Sequence, residues 1–206
     1  GLQGRSGGSG TPAIPQSSPT IFNGTFCGQN SLPTPDRTEQ QYGIRADSFT
    51  KFHVFNSVFM GWEALIDLRG PNYAEAADAG ASGIEFQNSL AFANIATNIA
   101  YNEIQAGPAT NPFADDDNGF DEAAWWKHPS NSNSEANPNI PKCFDPDSPR
   151  FATAAPIGAV SGGPGTPTAR TPPNDGFFDT NATYIGAFKD QTDDWATGNW
   201  VVWDSR

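Results

Sequence analysis

Positive charge is scarce in this chain: 11 Lys and Arg residues stand against 23 acidic ones, a formal net charge of −12. No cluster of Lys and Arg is present to neutralise phosphates, which excludes nucleic acid as a partner. The same balance disfavours an anionic membrane surface. No apolar run reaches the length of a membrane-spanning helix. Methionine occurs once, and histidine and cysteine twice each. This poverty of Met and Lys, set beside many Asn, Thr and Ser, is typical of extracellular chains. In that setting Cys27 and Cys143 would be bridged. The alternative is a pair of small buried hydrophobes.

Turn formers are what the chain has in excess: 21 Gly, 18 Pro, 17 Asn and 16 Asp among 206 residues. Long helices are thereby excluded, because Gly and Pro break them and Asx side chains compete for the backbone. Yet 15 Phe, 6 Trp and 4 Tyr are too many for a disordered chain. At 21.9 kDa the reading is one all-β, loop-rich domain, or one domain plus a tail. The opening GLQGRSGGSGTP reads as part of a 1–18 linker, as at the edge of a processed or excised part of something longer.

Internal similarity carries more information. IFNGTF (21–26), VFNSVF (54–59) and IEFQNSLAF (84–92) are alike, and their asparagines Asn23, Asn56 and Asn88 lie 33 and 32 residues apart. A second series, YGIRAD (42–47) and ALIDLRG (64–70), places Ile44 and Ile66 22 residues apart. A 22-residue unit with insertions in 28–41 and 70–82 reconciles the two. Short alternating strands at this repeat predict a solenoid of parallel strands, in which no coil buries its apolar face alone. The asparagines would then form a core-facing ladder at the strand spacing of about 4.8 Å, each amide bonding the coils above and below. Contact with a ligand is their functional alternative. Asn23 and Asn181 also begin glycosylation sequons. If Asn23 faces the core, Asn181 is the glycosylation candidate.

At this point the residues carry a resemblance. SSPTIFNGTFCGQNS and YGIRADSFTKFHVFNSVFMGWEALIDLRG resemble the last coils of right-handed parallel β-helix proteins of bacterial cell surfaces. The ending FFDTNATYIGAF (177–188) with DDWATGNWVVW (193–203) is similar to the tail of many such proteins, with Gly198-Asn199-Trp200 in place of their Gly-Trp. The resemblance implies a right-handed parallel β-helix and an extracellular or bacterial outer-surface location. It implies almost nothing about chemistry, since most members are uncharacterised. The division expected is linker 1–18, coils 19–104 and an extended Pro/Asn/Gly-rich tail 105–206. In that tail Trp125, Trp126 and Phe144 would anchor the chain on the coils. Phe177, Phe178, Tyr184, Phe188, Trp195, Trp200 and Trp203 would cap the open end of the last coil.

One segment invites metal chemistry. NPFADDDNGFDE (111–122) gathers carboxylates around Gly119, and Asp115, Asp117 and Asp121 fit a Ca²⁺ site loosely. EF-hand spacing fails, since it would put Ala114 first and Trp125 twelfth. A solvated acidic turn is the plainer reading. His53, alternating on a strand with Phe52 and Val54, reads as structural, and His128 precedes a proline in a loop. Arg45, Asp47, Asp67 and Arg69 stack either as a charge ladder or as the groove of a polysaccharide-cleaving enzyme. No catalytic residue is assigned, and no cofactor beyond Ca²⁺. The expected role is a non-catalytic structural or adhesive surface protein, or a subunit of an extracellular assembly. The alternatives are a polysaccharide lyase or hydrolase and a carbohydrate-binding module using Trp. The first coil lacks a cap, so a second copy or another chain of the assembly is the expected partner, with a polysaccharide the alternative ligand.

Overall fold

The computed structural model describes residues 1–8, 11–28, 42–47, 49–62, 64–68, 83–92, 120–145, 147–153, 157, 167–193, 195–197 and 200–201. Asp115, Asp117, Arg69, Trp203 and nearly all of both insertion loops lie outside these residues.

Runs of Val, Ile and Phe with period two form strands where their inner side chains can be buried together. Eleven strands are described, of which β4 to β11 carry such residues: β1 (Leu2–Arg5), β2 (Gly7–Gly8), β3 (Thr11–Pro12), β4 (Thr20–Phe22), β5 (Thr25–Cys27), β6 (Tyr42–Asp47), β7 (His53–Phe55), β8 (Val58–Met60), β9 (Ala64–Leu68), β10 (Glu85–Gln87) and β11 (Leu90–Phe92). From β4 onward successive strands join different sheets, and the three-stranded sheets are parallel: β1-β6-β9, β4-β7-β10 and β5-β8-β11. Only β2 and β3 pair antiparallel among the named strands. A single helix, α1 (Glu122–Trp126), is described; the protein is all-β. No helix among the described residues is long and apolar enough to cross a membrane.

The register corrects the uniform repeat. Leu2, Ile44 and Ile66 stack on one another, as do Thr20, His53 and Glu85. The spacing of 22 residues therefore holds only from β6 to β9. The 33 and 32 of the asparagine series are true register spacings, because the strands are constant while the connections vary. Residues 2–5, expected within a linker, instead extend the first sheet as β1.

The inner core lies between the three sheets. Ile44, Val54, Phe59, Ile66, Leu68 and Phe86 are buried there, with Leu2, Ile21 and Phe26 packed against them. Phe26 stacks on Phe59 at 4.7 Å. A second core forms on the outer face of β5-β8-β11, where Cys27, Val58, Met60 and Leu90 meet Ile140, Cys143, Phe144 and Ile185 of the tail. The period-two pattern buries one face; the tail buries the other.

Residues 131–134 close the outer edge of β10 and β11. Asn88 N–H donates to Asn131 O, Ala91 N–H donates to Ser134 O, and Ser134 N–H returns to Ser89 O. Trp126 is fully buried in the inner core, and Trp125 meets the Phe86 ring edge-on at 5.7 Å. The aromatic tail expected at this end lies along the flank instead, with Phe178 against Phe22 and Gly186 N–H donating to Asn56 O. A strand edge needs hydrogen-bonding partners, and polar backbone supplies them where rings do not.

Candidate functional site

Three two-residue corners organise the chemistry-bearing side chains. Between β4 and β5, β7 and β8, and β10 and β11, the asparagines Asn23, Asn56 and Asn88 take φ of 57°, 50° and 55°. That left-handed region suits Asn and turns the chain into the next sheet without a long loop. The amides do not bond one another. Asn23 Nδ2 donates to Tyr184 O, Asn56 Nδ2 to Arg170 O at 2.7 Å and Asn88 Nδ2 to Thr168 O at 2.8 Å. Arg170 N–H returns a bond to Asn56 Oδ1 at 2.8 Å. Asn56 is fully buried, but beneath the tail rather than facing the core in a ladder of amides.

The ladder that does exist is built of hydroxyls. Gly24 N–H donates to Ser57 Oγ, Ser57 N–H to Ser89 Oγ, and Ser89 N–H to Asn133 Oδ1, at 3.1, 3.1 and 3.0 Å. Each hydroxyl donates in turn to the carbonyl two residues back, Phe55 O or Gln87 O. Glycine opens the series because a Cβ at position 24 would stand 2.3 Å from the Phe26 ring. The Asn-Gly/Ser pairs at these corners were the signal for this ladder; the serines were read only as small residues.

Cys27 and Cys143 are joined as a disulfide with Cα atoms 5.8 Å apart, tying β5 to the tail. Beside it opens a cavity of about 570 Å³ lined by Phe26, Trp62, Phe144, Phe151 and Asp145. Three tail carboxylates, Asp175 exposed and Asp145 and Asp190 half-buried, each close a local turn. Asp145 is held below the usual range by the Ser148 N–H, the Lys142 ammonium and the Asp147 N–H. Asp175 is lowered chiefly by the Phe177 N–H, and Asp190 by the Thr192 hydroxyl and N–H. Burial pushes the Tyr184 phenol up, with Asp193 and Asp179 adding to it.

Of the calcium candidates only Asp121 is described. It caps α1, its Oδ1 accepting from Ala124 N–H at 2.8 Å. No group of three His, Cys, Asp or Glu side chains among the described residues is placed to hold a metal ion. Asn181 is exposed and bonds Asp179.

On the outer face of β1-β6-β9 unlike charges stack. Arg45 is paired in register with Asp67, and its Nε lies 3.1 Å from Asp47 Oδ2 and 3.7 Å from Asp67 Oδ2. Arg5 aligns with Asp47.

The outer face of β4-β7-β10 carries two columns. In one, Phe22 stacks near Phe55 at 4.7 Å, Arg170 lies over the Phe55 ring at 4.4 Å, and its Nη1 donates to Gln87 Oε1. In the other, Thr20, His53 and Glu85 are in register. His53 Nδ1 lies 2.9 Å from Glu85 Oε2, and Nε2 lies 3.0 Å from Ser18 Oγ. Sequence reasoning read His53 as structural and did not name Ser18 or Glu85; the 32-residue register linking His53 to Glu85 was the available signal. His128 Nδ1 bonds Ser130 in the turn after α1.

Among the tail aromatics, Phe188 stacks on Trp195 at 4.9 Å and Trp195 on Trp200 at 5.7 Å. Trp195 and Trp200 are 50% and 68% exposed, so this stack projects into solvent. No family model, curated protein or solved structure matches the chain.

Proposed function

We propose that this chain is a structural or adhesive protein of an extracellular or bacterial outer surface, and that its coils form a right-handed parallel β-helix. The observation carrying this reading is the asymmetry of the two ends. The outer edge of β10 and β11 is closed by residues 131–134, whereas β4 and β5, at the other edge of the same two sheets, pair on one side only, to β7 and β8, among the described residues. Phe22 and Phe26 of those edge strands are only partly buried. Unpaired N–H and C=O groups beside apolar rings make a template for strand addition. The described Asn, Ser and Arg–Asp groups are engaged in holding strands and tail together, which suits a scaffold. The disulfide and the scarcity of Lys favour an oxidising, extracellular setting.

Light scattering across a concentration series tests the assembly. Mass should rise with concentration as a second copy adds to the β4–β5 edge. A monodisperse monomer at every concentration would refute addition by a second copy.

A second reading rests on the projecting Trp195–Trp200 stack, which offers a platform for the apolar faces of sugar rings. Glycan-array binding lost in Trp200→Ala, without new reducing ends, would support a carbohydrate-binding role. New reducing or unsaturated ends would instead favour a polysaccharide-cleaving enzyme.

A further inference from the structure

The geometry points to a nucleophilic acyl-transfer site at Ser18, with His53 as general base and Glu85 as its positioning residue, acting on a short-chain acyl ester. This activity is additional to the scaffold role and belongs to the unassembled chain, because a second copy adding to the β4 edge would take up the N–H groups the site uses.

Three features of the row support it. The carboxylate of Glu85 can only accept when ionised, so at 2.9 Å it selects the tautomer with hydrogen on His53 Nδ1. His53 Nε2 is then left as an acceptor facing the Ser18 hydroxyl at 3.0 Å. Nucleophile, base and orienting carboxylate thus stand in hydrogen-bond succession, the arrangement that activates a serine. Next, the two inner members are held firmly while the nucleophile is reachable. His53 and Glu85 side chains are 15% and 17% exposed and locked in register on adjacent strands, whereas Ser18 is exposed. Finally, the backbone leaves donors nearby. Ser17 O and Pro19 O accept from Lys51 and His53 N–H groups, so strand alternation turns the N–H groups of Ser18 and Thr20 to the unpaired edge. Those donors suit a developing oxyanion.

In the reaction Ser18 Oγ bonds to the ester carbonyl carbon as its proton passes to His53 Nε2. Collapse breaks the carbon–oxygen bond to the alcohol, which leaves with that proton. Water then repeats the sequence, releasing the carboxylic acid and restoring Ser18. Ser17, Ser18 and Thr20 are exposed, so these described residues supply no wall for a long acyl chain, and the net charge of −12 repels polyanionic carriers. The substrate class is therefore a short acyl ester on an uncharged carrier.

The test uses the full chain with p-nitrophenyl acetate and, separately, a fluorophosphonate probe, followed by intact mass and peptide mapping. A single adduct on Ser18 with release of p-nitrophenol is expected. Ser18→Ala, at an exposed position, should remove it, while Ser17→Ala retains it. His53→Ala should slow acylation by about 10²- to 10⁴-fold. Glu85→Gln should lower kcat with KM unchanged and thermal unfolding at the wild-type temperature, a split that a purely structural ion pair would not produce. Absence of a Ser18 adduct in folded wild-type chain would overturn the proposal. So would an adduct on another residue, or one forming equally fast in folded His53→Ala.

Discussion

Asn56 is the residue through which the stack and the tail hold one another. Its side chain both donates to and accepts from Arg170, its carbonyl accepts from Gly186 N–H, and its backbone occupies the left-handed region. Asn56→Leu would leave two part-buried backbone groups of Arg170 unsatisfied and force a branched side chain into φ of 50°. The expected loss is about 2–4 kcal/mol, read as a drop in denaturant midpoint at constant slope. An unchanged midpoint would mean the tail contributes nothing at this corner. At the tail's turns, pH acts in one direction. The carboxylates of Asp145, Asp175 and Asp190 have lowered pKa values in the folded chain, so their support is complete above the ordinary carboxylate range. It is lost as pH falls through their lowered values. Amide signals of Ser148, Phe177 and Thr192 should therefore shift below pH 4 and stay constant near neutrality.

At the scale of elements, the closing segment 131–134 supplies the hydrogen-bond partners that the β10–β11 edge needs. Asn133 does with one amide what a serine and a backbone group do in the rungs above: Oδ1 accepts from Ser89 N–H while Nδ2 donates to Phe86 O at 2.7 Å and Trp126 O at 3.2 Å. Asn133→Ala would orphan three backbone groups at the end of the stack. Hydrogen exchange at Ser89 and Ala91 should then accelerate by at least tenfold, with β6–β9 amides unaffected. Uniform acceleration through all sheets would show instead that the cap and the stack open as one unit. Asp121 serves α1 in a similar way, satisfying the Ala124 N–H that the short helix leaves free.

For the whole molecule, the Cys27–Cys143 bond links residues 116 apart in sequence, across the outer core. The chain-entropy account puts removal of so long a cross-link at about 4–5 kcal/mol. Cys143→Ser should lower the melting temperature by many degrees and increase proteolysis of the segment after residue 134. Alkylation without reductant should label neither cysteine. Two modified thiols in unreduced protein would contradict the bond. The same cross-link keeps Phe144 beside Phe26 and Trp62 around the cavity next to β5, so its loss should also open that end of the stack.

The sequence by itself determined the strands from β4 to β11 and the all-β character; β1, β2 and β3, in the segment read as linker, were decided by tertiary pairing. Period-two burial in IFNGTF, VFNSVF and IEFQNSLAF and the Asn-Gly/Ser pairs at their corners are local features, and local sterics act on them before any distant contact forms. The spacings of 33 and 32 between the asparagines carried the register directly. What the asparagines bond was settled only by the tail, because Arg170, Thr168 and Tyr184 lie 80 or more residues away and nothing in the repeat encodes their approach. The closing role of 131–134 was hidden for the same reason: an Asn-Ser-Asn-Ser run reads as a polar loop until an unpaired edge stands next to it. Ser18, His53 and Glu85 show the effect most plainly. Their alignment requires β7 and β10 in register and the residues before β4 beside them; the 32-residue spacing points to Glu85, but nothing in the repeat points to Ser18. Short-range patterning decided which strands form, and long-range pairing decided which polar groups meet.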